Sequence, residues 1–257
     1  MISLSFFSLI FFCNSCYEPI EGCLDINSEN YEVSADRACD SCCVFPDFKL
    51  NIDQVFNAED FSLGDTLIND IGVTFKITDY LMIFSSFSLT SVDNIFTVID
   101  STRVPCNSSV DNYEVNDLVS IRSSTSLLTV GKWMQAGAIN NISFLLGLND
   151  CYHDAGLSGV EEESRIASVD TLYQPSEGFK TLILEINDTL RYEFIGDSES
   201  IGISKPIIAS NAPGNTLVFG MKIDFGVWLA TFDPNDSVEA TKTKLMQSLE
   251  RAITFTE

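Results

Sequence analysis

Residues 73–89 read VTFKITDYLMIFSSFSL, a run of β-branched and aromatic residues that is long enough for two strands or for one bent strand. Short runs of similar composition recur from Phe48 onward, separated by turn signals such as Asn-Asp, Gly-Asp and Pro-Gly. Many short strands between turn signals predict an all-β fold, here an antiparallel β-sandwich. The other predicted strands are Lys49–Phe56, Ile95–Ile99, Leu127–Val130, Ile142–Leu148, Lys180–Ile186, Thr189–Ile195 and Leu217–Phe225.

One helix is predicted at the C-terminal end, over residues 236–257. Asp233-Pro234 breaks the chain before it, Asp236 is the predicted N-cap, and Glu239 follows at the spacing of a capping box. The sandwich domain is therefore predicted to cover residues 47–235. An apolar stripe for packing on a sheet consists of Leu245, Leu249 and Ile253.

The composition is that of a folded but strongly acidic protein. The chain has 37 acidic and 14 basic side chains, for a net charge of −23. A negative field of this size repels nucleic acids and anionic lipids, so the sequence argues against a nucleic-acid partner. A hydrophobic fraction of 45%, with 19 phenylalanines, predicts a packed core rather than a disordered chain.

The N-terminus carries the pattern of an export signal. Ile2–Cys13 is an apolar run of about 12 residues, too short for a membrane span and typical of a secretory signal. Cys13-Asn14-Ser15-Cys16 then resembles a bacterial lipobox, although Cys13 replaces the usual aliphatic residue and no Lys or Arg precedes the run. We predict a signal peptide over residues 1–15 and lipidation of Cys16. The alternative is an ordinary cleaved signal, with Cys16 free or disulfide-bonded.

Residues 16–46 are predicted to form a tether and a cysteine-rich head. Outside the cytoplasm an even number of cysteines predicts disulfides, and a segment this short needs cross-links in order to fold. Cys23 is expected to pair with Cys39 or with one of Cys42 and Cys43, and Cys106 with Cys151 in the main domain.

The head also matches a pattern, GC-x-D-x-N-x-x-N-Y with a later cysteine, that resembles a short module of bacterial envelope proteins. Its matching residues are Gly22, Cys23, Asp25, Asn27, Asn30, Tyr31 and Cys39. An alternative interpretation is a calcium loop, since Asp25, Asn27, Glu29 and Asp36 fall at positions 1, 3, 5 and 12 of an EF-hand-like pattern. However, Asn30 stands where that loop needs glycine.

Four blocks of the main domain resemble the MbnP-like family of methanobactin-associated copper-binding proteins: Phe75–Leu89, Leu128–Leu148, Gly178–Glu185 and Tyr192–Asp197. The resemblance implies a periplasmic or surface β-sandwich that binds copper through histidines, in some members beside an oxidised tryptophan. This chain departs from that pattern, because its one histidine is His153 and the strand where a histidine is expected reads Phe194-Ile195-Gly196. The approach to the Gly178 strand is Leu172–Glu177, without the family's Met or Trp. The fold is therefore expected to persist without the family's copper site.

The sequence leaves one cluster with mixed ligand chemistry, in residues 149–154. A reduced Cys151 together with His153 could bind Cu(I) or Zn(II), assisted by Asp150 or Asp154. The alternative is a disulfide-bonded Cys151 beside an exposed histidine. No nucleophile elbow or phosphate-binding loop is present, so no catalytic residues are assigned and the chain is not expected to be an enzyme.

These observations predict a non-enzymatic lipoprotein of the bacterial cell envelope with a role in binding or surface interaction. It is expected to be lipid-anchored to the outer membrane, facing the periplasm or exposed at the surface. Its expected partners are the membrane, through the lipid anchor, and a protein or metal ion. The alternative function is a copper- or other metal-binding lipoprotein that uses Cys151, His153 and nearby carboxylates.

Overall fold

The computed structural model describes residues 17–92, 94–104, 113–158, 160–196 and 199–256. The predicted signal peptide, Cys16 and Cys106 lie outside these described residues. The strands are β1 (Glu21–Gly22), β2 (Arg37–Ala38), β3 (Asp47–Phe56), β4 (Glu59–Asp60), β5 (Leu67–Ile68), β6 (Thr74–Phe75), β7 (Ile77–Thr90), β8 (Ile95–Thr97), β9 (Ser101–Arg103), β10 (Tyr113–Val115), β11 (Val119–Ile121), β12 (Leu127–Lys132), β13 (Gly137–Leu146), β14 (Tyr173–Gln174), β15 (Gly178–Ile186), β16 (Leu190–Ile195), β17 (Ile201–Asn211), β18 (Leu217–Asp224) and β19 (Ile253–Thr256).

The helices are fewer and shorter than the strands. In the described part of the chain, three are α-helical and one is a 3₁₀ helix. Among the described residues, none of these helices has both the length and the apolarity needed to cross a bilayer. They are α1 (Asp150–Ala155), the 3₁₀ helix (Arg165–Leu172), α2 (Phe225–Trp228) and α3 (Val238–Ala252).

Two sheets pack face to face, which confirms the predicted β-sandwich. The larger has eight strands in the order β14-β15-β7-β13-β17, with β8 and β11 paired to β7 and β16 paired to β15. The smaller has the order β12-β3-β18-β19, with β4 paired to β3. The pairings within both sheets are antiparallel except for β3 with β18, which run parallel. Aromatic contacts join the sheets, as between Phe48 and Phe87 with ring centroids 6.0 Å apart.

The run that dominates the sequence becomes the central strand β7, and both of its faces are buried. Tyr80, Met82 and Phe84 point into the core between the sheets. Leu81 and Ile83 point to the opposite face, where α1 and the 3₁₀ helix cover a second apolar cluster. A strand covered on both faces has a nearly continuous apolar sequence, which explains why this run shows little alternation.

The apolar pattern of β7 shifts by one residue at a β-bulge. Ser86 has φ 56°, and β13 pairs Ser143 with Ser88 but Leu145 with Ser85, so β7 has one extra residue there. Because of that insertion, Phe84 and Phe87 both reach the core although they are three positions apart.

The C-terminal helix differs from its prediction at both ends. Its N-cap is Ser237, whose hydroxyl accepts a bond from Ala240 N, whereas Asp236 pairs with Lys244. The helix ends at Ala252, and residues 253–256 form β19 beside β18. Of the predicted apolar stripe, Leu245 and Leu249 are buried on the helix, whereas Ile253 is buried as the first residue of β19.

Candidate functional site

The loops at one end of the larger sheet border an open polar cavity of about 240 Å³. It lies between α1, the β14–β15 hairpin and the end of β16. Three separate parts of the chain therefore meet there. Two of them contain side chains that can donate or accept hydrogen bonds or act as metal ligands. The lining residues are His153, Tyr173, Pro175, Ser176, Glu177, Gly178 and Gly196.

Two glycines make this close approach possible. Gly178 and Gly196 have φ values of 98° and 81°, which side-chain-bearing residues rarely adopt. A Cβ on Gly178 would lie only 3.2 Å from His153 Nδ1 and 3.7 Å from Gly196 Cα. Gly196 N donates to Phe179 O at 3.2 Å, which holds the end of β16 against the start of β15. The backbone, rather than side chains, therefore forms the narrow side of the cavity.

Helix α1 is held by its own cap and by one buried tyrosine. Asn149 Oδ1 accepts from Tyr152 N at 3.2 Å, which caps the helix. The buried Tyr152 donates its hydroxyl to Val115 O at 3.1 Å, and burial raises the pKa of that phenol. His153 follows directly, and its ring packs edge-on against Phe179 with centroids 6.2 Å apart. The position of the imidazole is thus fixed by packing beneath it.

The structure brings together only part of the predicted metal cluster. His153 lies in the cavity with Tyr173, Pro175, Ser176, Glu177 and Gly196. Asp150 is exposed in the first turn of α1. Cys151 is disulfide-bonded, so its sulfur is not a thiolate ligand in this structure. Cys106, its predicted partner, lies outside the described residues.

Within the described part of the chain, His153, Cys151 and Asp150 do not form a three-ligand group. The one set of three or more His, Cys, Asp or Glu ligand atoms that lie within 4.8 Å of one another there is Cys39, Cys42 and Cys43. The soft-ligand site predicted at residues 149–154 depends on a reduced Cys151, and the structure does not meet that condition.

A second cavity, of about 300 Å³, has no counterpart in the sequence prediction. It lies at the opposite side of the core, where Gln54, Phe61 and Tyr80 meet. Gln54 Nε2 donates to Arg122 O at 3.0 Å and to Thr125 O at 2.8 Å, and its buried Oε1 has no partner among the described residues. These residues come from parts of the chain far apart in sequence, so no local pattern predicts the cavity.

The carboxyl with the most strongly raised pKa has a structural role. Asp117 is buried, and its oxygens accept from Ser86 N at 3.0 Å and Phe87 N at 2.5 Å, so it holds the bulge in β7. Burial raises the pKa of Asp117 to about 6, and the two backbone donors and Arg165 oppose that rise. A perturbed pKa often marks a functional site, but this carboxylate lines neither cavity.

The head is cross-linked by two disulfides, Cys23–Cys43 and Cys39–Cys42. The first is one of the pairings predicted from the sequence. Cys23 is buried, Cys39 and Cys43 are partly buried, and Cys42 is exposed.

The alternative calcium loop in the head is not formed. Asp25 Oδ1 accepts from Asn27 N at 2.9 Å and from Asn27 Nδ2 at 3.2 Å, as in a local turn. Asp36 Oδ2 accepts from Ile20 N at 3.0 Å and from the Tyr17 hydroxyl. Within the described residues, the carboxylates of this segment do not converge as a metal-ligand group.

Comparison with known proteins returns one structural similarity. No protein-family model matches the sequence, and no curated protein matches it. The structure is similar to that of MbnP from Methylosinus trichosporium, with a TM-score of 0.44 and 10% sequence identity. The similarity covers 73% of this chain and 78% of that chain. MbnP belongs to the family that the four sequence blocks resemble, whereas the resemblance of the head to an envelope module stays a prediction.

Proposed function

We propose that this chain is an exported, lipid-anchored, non-enzymatic binding protein of the bacterial cell envelope. The observation that supports this proposal most directly is the disulfide-bonded head, which follows Cys16 and leads straight into β3. Disulfides persist in oxidising compartments, so a head cross-linked in this way is compatible with a location outside the cytoplasm. A folded module between the anchor and the sandwich would hold the binding domain away from the membrane.

The proposed binding face is the loop end that contains His153, Tyr173 and Glu177. Its cavity of about 240 Å³ is smaller than the usual pocket for a drug-sized ligand, which is about 300–1,000 Å³. A cavity of this size suits one side chain of a protein partner or one small polar group. Loops on a rigid scaffold are also where binding surfaces of β-sandwiches commonly lie.

The lipid anchor is tested by fractionation of cells that express the full chain. Cys16→Ser should move the protein from the membrane to the soluble fraction, because acyl chains on this residue supply the membrane affinity. Cys13→Leu is the matched control, since it removes a neighbouring cysteine but restores the aliphatic residue usual at this lipobox position, and it should leave the protein on the membrane. Retention of the Cys16→Ser protein on membranes would refute the anchor.

The binding face is tested by photocrosslinking in cells from two exposed turns of the same sheet. A photoreactive residue at position 176 lies at the cavity, whereas one at position 188 lies at the opposite end of β15. We expect a covalent adduct of defined mass from position 176 and none from position 188. Equal labelling from both positions, or adducts from position 188 alone, would contradict the assignment of this face.

The alternative metal-binding function can be tested directly at His153 in this same cavity. If His153 contributes to a copper site, titration of the oxidised protein should show uptake of one equivalent of Cu²⁺ that His153→Ala abolishes. Uptake unchanged by His153→Ala would remove this residue from the proposal.

A further inference from the structure

We propose that the four cysteine sulfurs of the head become a zinc site when their two disulfides are reduced. The sulfurs of Cys39, Cys42 and Cys43 already lie within 4.8 Å of one another, and Cys23 is bonded to Cys43. A tetrahedral site with Zn–S bonds of about 2.3 Å places its sulfurs about 3.8 Å apart. Three of the four sulfurs therefore already lie close to this spacing, and the fourth, that of Cys23, starts beside the sulfur of Cys43. Four sulfurs in a tetrahedron favour Zn²⁺ over cations that prefer oxygen ligands.

Hydrogen bonds that do not involve sulfur hold the backbone of this cluster. Asn30 Nδ2 donates to Cys42 O and Asn30 Oδ1 accepts from Val44 N, both at 2.8 Å, so this amide brackets Cys43 from both sides. Val44 O in turn accepts from Glu29 N at 2.8 Å. The segment that carries Cys42 and Cys43 is thus anchored to the turn beside Asn30 without either disulfide.

The other two cysteines are held in the same way. Cys23 O accepts from Glu32 N at 2.8 Å, and Cys39 N donates to Gly22 O at 3.1 Å. The strands that carry Gly22 and Ala38 pair directly, which places Cys23 next to Cys39. These hydrogen bonds keep the four cysteines near one another, and Zn²⁺ would replace the disulfides as the cross-link that so short a segment needs.

Access and charge favour the entry of a cation. Cys42 is exposed and Cys39 and Cys43 are partly buried, so a reductant can reach the Cys39–Cys42 bond from solvent. The chain carries a net charge of −23, which raises the local concentration of divalent cations around it.

The chemistry balances with a dithiol as reductant. Each protein disulfide takes up two electrons and two protons, and one dithiol molecule is oxidised to its own disulfide for each bond opened. Zn²⁺ then displaces four protons from the four thiols and is held by four thiolates. Because thiolates are the ligands, the apparent affinity should rise with pH below the ordinary thiol pKa of about 8.5.

The test uses the mature chain from residue 16 with Cys16→Ser, which removes the lipid and one unrelated thiol. The protein is reduced with dithiol, freed of reductant without air, and titrated with Co²⁺ as a spectroscopic substitute for Zn²⁺. We expect one equivalent of Co²⁺ with the visible bands and thiolate charge-transfer absorption of a tetrahedral sulfur site. Zn²⁺ should displace it, and the oxidised protein should bind neither metal at this site.

Variants distinguish the head from other thiols of the chain. Cys42→Ser should weaken binding at least about 100-fold and lower the charge-transfer intensity, whereas Cys151→Ser should leave both unchanged. Asn30→Ala keeps every thiol but releases the backbone, and should weaken binding about 10-fold.

The fluorescence of Trp133 and Trp228, both buried in the sandwich, reports whether each variant remains folded. Absence of Co²⁺ uptake by the reduced protein would overturn the proposal. So would uptake that Cys42→Ser leaves unchanged, or equal uptake by the oxidised protein. None of these outcomes bears on the lipid anchor or on the loop-end binding face.

Discussion

Replacing Asp117 with asparagine should change how the stability of the fold depends on pH. Asp117 accepts from two backbone amides in the bulge of β7 and is almost completely buried, at 1% exposure. Burial favours the neutral form of the carboxyl, whereas the two N–H donors favour the charged form. The pKa of about 6 indicates that burial has the larger effect.

The raised pKa of Asp117 stabilises the folded protein at acidic pH relative to neutral pH. The ordinary pKa is 3.8, so between about pH 4 and 6 the native protein keeps a proton that the unfolded chain has released. The contribution of Asp117 to the free energy of unfolding is therefore fully present below about pH 4 and is lost as the pH rises through about 6. The difference between the two pKa values corresponds to about 3 kcal/mol at most, since one pKa unit is worth about 1.4 kcal/mol.

Asparagine is uncharged at every pH, but its Nδ2 cannot accept a hydrogen bond, so one of the two backbone N–H groups at the bulge loses its acceptor. Asp117→Asn should therefore be less stable than the native protein by about 1–3 kcal/mol at pH 4, and this deficit should shrink by about 2–3 kcal/mol by pH 7.5, where the native protein has lost the contribution of Asp117. Urea unfolding followed by tryptophan fluorescence measures the free energy of unfolding at both values. Asp188→Asn, at an exposed turn, is the matched control and should leave the pH dependence unchanged.

The opposite result would refute this reasoning. If the stability deficit of Asp117→Asn grows between pH 4 and pH 7.5, the donors from Ser86 and Phe87 outweigh burial. The pKa of Asp117 would then lie below its ordinary value, and the bulge would be held by a charge rather than by a neutral acid.

Three further substitutions test the packing and the cross-links. Asn69→Ala should destabilise the protein by about 3 kcal/mol in urea unfolding, because Asn69 donates to two carbonyls of the turn before α3 and accepts from Val73 N. The control Asn94→Ala, on the surface, should change the free energy of unfolding by less than about 0.5 kcal/mol. Phe144→Ala should cost about 3–5 kcal/mol in the same assay, since its ring contacts three other phenylalanines of the core. The double change Cys23→Ser with Cys43→Ser should lower the stability of the head by about 3 kcal/mol, seen as faster hydrogen exchange there while tryptophan fluorescence is unchanged; equal exchange rates would contradict it.

The sequence predicted the fold better than it predicted the details that shape the site. Each strand predicted after residue 73 overlaps an observed one, because β-branched and aromatic runs between turns are a local signal. β17 was missed, since Lys205 and Pro206 interrupt its pattern. A proline is tolerated there because β17 ends the larger sheet and pairs only with β13 in the described part of the chain.

The errors at the C-terminus and in the core have a shared cause, which is tertiary context. Asp236 and Ser237 are both good caps, and the ion pair of Asp236 with Lys244 decides between them only in the folded chain. Residues 253–256 continue a helical pattern, but β18 offers them an edge to pair with. The bulge at Ser86 depends on a carboxylate 31 positions away. No local window contains that information.

The candidate site, like the fold, was predicted only in part from the sequence. His153 was singled out as a candidate metal ligand and Leu172–Glu177 as a departure from the MbnP-like pattern, and His153 does meet four residues of that segment in one cavity: Tyr173, Pro175, Ser176 and Glu177. The ligand set was not predictable, since the sequence left open whether Cys151 is a thiol or a disulfide, and the structure has it disulfide-bonded. The cysteines of the head were predicted to be cross-linked, but the closeness of the sulfurs of Cys39, Cys42 and Cys43 became visible only in the structure.

The parallel pairing of β3 with β18 has a consequence for biogenesis. One neighbour of β3, the first strand of the sandwich, is β18, which consists of residues 217–224 near the end of the chain. A chain threaded through an export channel with its N-terminus leading therefore cannot close the smaller sheet until almost all of it has emerged. Until then β3 carries an unpaired edge and exposed apolar residues such as Phe48 and Leu50, which favours aggregation. Truncation even shortly before β18 should thus yield an insoluble product rather than a smaller folded domain.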